Sequence, residues 1–166
     1  MKKTKKVAVF ALCVALAFTL SFLETLIPIN IGIPGVKIGL ANLVVVAALY
    51  LLDKREAFAI SMIRILISGL VFTGAFSLLY SFTGGILSFI VMLLAMKSEK
   101  LSILGVSILG ASVHNIGQII IAAIVMQTPR IIYYFPVLLI SGVIAGIIVG
   151  IISKTVVQRL MKIDKS

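Results

Sequence analysis

Polar surface is what this chain most lacks. Only 15 basic and five acidic side chains occur in 166 residues, 61% of which are hydrophobic, and the mean hydropathy is +1.28. A water-soluble domain of this size needs far more charge to coat it, which excludes a soluble enzyme. The lone cysteine, Cys13, leaves no internal disulfide or multi-cysteine metal site, and the lone histidine, His114, leaves no two-histidine zinc motif. The two aspartates, Asp53 and Asp164, lie in short charged clusters, so the paired Asp-rich motifs that hold magnesium diphosphate in prenyl-transfer enzymes are missing. A Walker loop and a G-x-S-x-G elbow are missing too. Catalysis by the chain on its own is not expected, and no metal or cofactor is called for.

Long uncharged runs are what the sequence has instead. Residues 7–23, 38–52, 65–96, 101–129 and 131–153 carry no Asp, Glu, Lys or Arg. A bilayer core about 30 Å thick needs roughly 20 helical residues per crossing. The 32-residue run 65–96 is too long for one span and has Thr73-Gly74 as a hinge near its start. The expectation is an all-α integral membrane protein, a single domain over 1–166 with six transmembrane helices at about 7–27, 38–52, 57–73, 76–96, 101–126 and 131–153. Helices two and three are short by this reckoning. Lys2-Lys3-Thr4-Lys5-Lys6 before an apolar run imitates a signal peptide, but that run continues through Ile27, enough to span, so it reads as a retained first helix.

With the amino terminus inside, segments 1–6, 53–56, 97–100 and 154–166 hold 12 basic residues and the outer loops hold two, Lys37 and Arg130. The positive-inside rule then places both termini in the cytoplasm and makes the net charge of +10 an orientation signal. Nucleic acid is not an expected partner, because the basic groups are short, juxtamembrane and without an aromatic platform.

Small residues mark where helices touch, since apolar side chains gain little by leaving lipid and backbones associate by close approach. Gly142, Gly146 and Gly150 form such a stripe on the last helix. Ala8, Ala11 and Ala15 form another on the first, suited to sealing the bundle or to meeting a partner subunit.

Buried polar groups mark the candidate site. Arg64 lies within a span, where an ionisable group costs at least about 2.5 kcal/mol. It either snorkels or pairs structurally, or it serves a ligand. His114, Asn115 and Gln118 fall within five residues of an apolar helix, with His114 and Gln118 on one face, and must find partners in a helix clamp or a cavity. Pro28, Gly32, Pro34 and Gly35 shape the first outer loop, and Lys37 near a helix amino terminus suggests an anion there. Asn30, Lys37, Asn42, Arg64, Tyr80, His114, Asn115, Gln118 and Arg130 are the candidate ligand-binding residues. Together they suit a small amphipathic ligand with an anionic end.

The run Pro34-Gly35-Val36-Lys37-Ile38-Gly39-Leu40-Ala41-Asn42, the intramembrane Arg64, Tyr80-Ser81-Phe82-Thr83-Gly84-Gly85 and His114-Asn115-Ile116-Gly117-Gln118 recur in order across nearly the whole chain. In these the sequence resembles the bacterial Gx transporter family, also labelled heptaprenyl diphosphate synthase component I. That family is similar to the substrate-binding S components of energy-coupling-factor transporters. The resemblance implies six helices, an outward-facing pocket and a cell-membrane location. It implies uptake of a small ligand, such as a vitamin, flavin, quinone precursor or isoprenoid diphosphate, with a membrane coupling subunit and cytoplasmic ATPases. Ala11-Leu12-Cys13-Val14-Ala15 resembles the Ala-x-x-x-Ala stripe by which S components meet that subunit. The family's other label implies an alternative role, a non-catalytic membrane partner of a soluble prenyl diphosphate synthase subunit.

Overall fold

The computed structural model describes residues 3–26, 39–98, 100–127 and 129–163. These form six α-helices: α1 (Lys3–Leu26), α2 (Asn42–Leu51), α3 (Lys54–Ser68), α4 (Gly74–Lys97), α5 (Ile103–Met126) and α6 (Phe135–Ile163). A π-helical segment, Gly69–Thr73, prolongs α3, and a 3-10 segment, Pro129–Tyr134, leads into α6. Among the described residues, four stretches are long and apolar enough to cross a membrane: Thr4–Leu26, Gly74–Lys97, Ile103–Met126 and Ile131–Lys162. The protein is thus an all-helical membrane protein. The helices expected at 38–52 and 57–73 do not reach that standard. The 10 residues of α2 extend only about 15 Å, half the hydrocarbon thickness, and α3 carries Lys54, Arg55, Glu56 and Arg64.

Local chemistry explains where the helices begin and stop. The Asp53 N–H donates to Glu56 Oε2 at 3.2 Å, which starts α3 three residues earlier than the hydropathy pattern suggests. Ser102 caps α5 by accepting the Gly105 N–H at 3.3 Å, and α5 ends at Gln127 in the left-handed region, φ 46°. The Thr73-Gly74 hinge takes the form of the π segment followed by Gly74 at φ 78°, a conformation that favours glycine. Phe72 fixes this segment to α1, with its ring centroid 5.2 Å from both Phe18 and Phe22.

The helices close into a ring in the spatial order α1, α3, α4, α5, α6, α2, with α2 also packed on α3. Val44 to Leu49 of α2 are six consecutive buried residues, the mark of a helix enclosed all round. Ser153 of α6 donates its hydroxyl to the Leu43 carbonyl at 3.2 Å and locks α2 in place. At one end of the bundle, Lys6 of α1 pairs with Asp53 and, at 3.3 Å, with Glu56. The outward faces carry large apolar side chains, among them Leu70, Phe76, Ile124 and Ile140, as a lipid-facing surface requires.

Glycine sets the tightest contacts. A Cβ on Gly146 would stand 2.6 Å from Ile108 Cα, and one on Gly142 would stand 2.9 Å from Asn115 Nδ2, so the glycine stripe of α6 seals it against α5. Gly84 and Gly117 do the same for α4 and α5, where a Cβ on Gly117 would lie 2.9 Å from Gly84 Cα. The alanine stripe differs. Ala8, Ala11 and Ala15 are exposed, while Ala17 faces the core.

Candidate functional site

The ring encloses a cavity with room for water-sized groups of about 50 Å³, enough for about three or four waters. All six helices contribute to its wall, and Arg64, Asn42, His114 and Gln118 supply polar groups to it. Arg64 sits ten residues beyond the start of α3, about 15 Å along it, and Asn42 opens the half-length α2. The two therefore meet at mid-depth, where Arg64 Nη2 donates to Asn42 Oδ1 at 3.0 Å. Arg64 is 9% exposed, so it turns into the bundle and does not snorkel. Asn42 stands at this level because α2 is only 10 residues long.

The guanidinium is incompletely satisfied. Arg64 Nε is buried without an acceptor, and the Ser21 and Ser68 hydroxyls are buried without partners, among the described residues. Ser68 lies one turn beyond Arg64 on α3, so both line the chamber from the same helix face. Glu24 is the carboxylate whose charge acts on Arg64. It is itself buried and accepts the Gly39 N–H, which ties α1 to the start of the α2 turn.

On α5 the chamber wall is Ser107, Gly110, Ala111, His114 and Gln118, a single helical face. Gly84 makes room for the polar pair, since a Cβ there would be 2.6 Å from the His114 carbonyl oxygen and 3.2 Å from Gln118 Cγ. Asn115 also borders the chamber. Its side chain is spent as an interhelical clamp, with Nδ2 donating to the Leu138 carbonyl at 2.7 Å and to Ser141 Oγ at 3.5 Å on α6.

The structure thus brings Asn42, Arg64, His114, Asn115 and Gln118 together. Tyr80 is half-buried away from the chamber wall. Asn30 and Lys37 lie outside the described residues, as does the side chain of Arg130. Sequence reasoning missed Ser21, Ser68, Ser88 and Ser107, all buried and all lining the chamber. Serine on an apolar helix is ambiguous because it can bond its own backbone. The spacing of Ser107 seven residues before His114 was the available signal. No group of three or more His, Cys, Asp or Glu side chains converges among the described residues. One guanidinium, one imidazole, five serine hydroxyls and three amides line the chamber, a set able to hold and orient a ligand.

Fold and site define a class: a helical membrane protein built round an internal chamber that carries a buried arginine in its wall. Within that class, the chain belongs to the heptaprenyl diphosphate synthase component I family, whose model matches residues 13–156. No match is found among curated proteins or among solved structures.

Proposed function

We propose that this chain is the non-catalytic membrane component of a two-component heptaprenyl diphosphate synthase, working with a soluble prenyl synthase subunit. Membership of the family over residues 13–156 carries the reading. The sequence supports it, because its two aspartates cannot supply the paired metal-binding motifs of prenyl transfer, so the chemistry falls to the partner. In this reading one domain sits in a bacterial cell membrane with both termini cytoplasmic, and the six-segment bundle is completed by α2, which covers half the membrane's depth inside the ring, and by α3 with its π-helical extension. The exposed Ala8, Ala11 and Ala15 offer a smooth docking face. Co-expression with the soluble prenyl synthase of the same genome tests it: the two chains co-purify, and prenyl chain elongation depends on both. A soluble synthase that is fully active alone and leaves this chain behind overturns it.

A second reading is favoured by the chamber itself, whose buried Arg64 and polar rim exceed what a bundle needs to hold together. In it the chain is an S-component-like binding subunit of an uptake transporter, capturing a vitamin, flavin, quinone precursor or isoprenoid diphosphate and docking to a coupling subunit with cytoplasmic ATPases. Thermal stabilisation by one of those compounds, together with uptake that requires the ATPases, separates it from the first.

A further inference from the structure

We infer that the mid-depth chamber is an oxyanion site, which takes the phosphate or diphosphate head of an amphipathic molecule between the Arg64 guanidinium and the Ser21 and Ser68 hydroxyls. The inference deepens the synthase reading and rests on it for the isoprenoid character of the tail, though not for the grip on the head. Three observations converge on it. Arg64 is nine-tenths buried and held by a single bond to Asn42, while its Nε points to no acceptor among the described residues. The Ser21 and Ser68 hydroxyls, from α1 and α3, border the same space and are equally unpartnered. Buried donors left open in apolar surroundings are costly, and an oxyanion satisfies all of them with charge-assisted bonds, for which the guanidinium fork is shaped. Glu24 tempers the charge of Arg64, but its carboxylate also accepts the Gly39 N–H.

The volume of about 50 Å³ limits the ligand. A phosphate-sized head fits, and a prenyl chain does not, so the tail lies outside the chamber.

The test uses the full chain in lipid nanodiscs without any soluble partner, with the thermal midpoint followed against inorganic diphosphate, farnesyl diphosphate and farnesol. Both diphosphates raise the midpoint and the alcohol leaves it unchanged. A stronger response to farnesyl diphosphate assigns the site to tailed molecules, and an equal response assigns it to the free anion. Arg64→Gln weakens binding roughly 10- to 100-fold and Ser68→Ala roughly 3- to 10-fold, as expected for bonds to a charged group. Farnesol matching its diphosphate, titrations unchanged in both variants, or no response to either diphosphate overturns the inference. Should Arg64→Gln fail to fold, Ser68→Ala and the comparison of diphosphate with alcohol on the unaltered chain still decide. A chain that binds diphosphate but ignores the soluble synthase keeps this inference and defeats the synthase reading, while co-purification without diphosphate binding does the reverse.

Discussion

Placing one methyl group between α4 and α5 tests the architecture of the chamber directly. In Gly84→Ala the new Cβ stands 2.6 Å from the backbone oxygen of His114 and 3.2 Å from its Nδ1. Ordinary contact needs about 3.4 Å, so the two helices must separate by about 0.8 Å at the point where His114 and Gln118 enter the wall. Overpacking of this kind costs about 1–3 kcal/mol. Gly105→Ala is the matched control. It makes the same chemical change in a helix, but its nearest neighbour, 3.2 Å away, is the flexible tip of Leu101, leaving the helix-propensity gain of about 1 kcal/mol largely intact. For a chain of this length each kcal/mol moves the midpoint by about 2–4 °C, so Gly84→Ala melts about 2–12 °C below Gly105→Ala. The chain suits a thiol-reactive fluorogenic probe, since its sole cysteine, Cys13, is free and packs against the core, and unfolding exposes it. Midpoints within about 1 °C of each other refute the close α4–α5 approach and the chamber geometry built on it.

Further predictions follow from the clamp, the rim and the alanine face. Asn115→Ala removes the bonds to Leu138 and Ser141 and costs about 1–2 kcal/mol, a fall of a few degrees by the same assay, without loss of diphosphate binding. Its bond from Lys6 holds the Asp53 carboxyl below its usual pKa. That contribution is complete above the unfolded value of about 3.9 and disappears as pH falls through the folded one. Melting curves of Lys6→Ala should therefore lose part of the acid-side decline below about pH 4, and high salt should shrink the difference, because both side chains are solvent-exposed. Replacing Ala11 and Ala15 with Leu leaves the midpoint unchanged, since both positions are exposed, and abolishes co-purification with the partner; a collapse in folding instead assigns the stripe to internal packing.

Charge-free runs reported the long helices well because charge is what the hydrocarbon refuses. α4 lies within two residues of its expected ends, at Gly74–Lys97. The same signal misjudged α6, which continues to Ile163, ten residues past its expected end at 153. Lys154 marks the limit of the apolar stretch and not the end of the backbone hydrogen bonding. It misjudged α2 in the opposite sense, because residues 39–41 are uncharged like the helix that follows yet do not belong to it. Of the site, Arg64 and the His114–Gln118 face were legible since hydrocarbon tolerates neither without a partner. The pairing of Arg64 with Asn42 was not, because it depends on α2 starting at mid-depth. Likewise, nothing in the run 114–118 says that Asn115 leans to α6 while its neighbours face the chamber; only the helical offset of one residue, about 100°, separates the two roles.

Translation order gives the enclosed α2 a consequence of its own. The ribosome makes this segment early, yet the α6 hydroxyl that fastens it, Ser153 on the Leu43 carbonyl, belongs to a residue 110 positions later. Until the last helix emerges, a stretch too short to cross the bilayer must wait beside unfinished neighbours. Completion of the carboxyl-terminal helix is therefore the step that shelters the middle of the molecule, and a chain cut short before it would present α2 to the membrane's quality-control proteases.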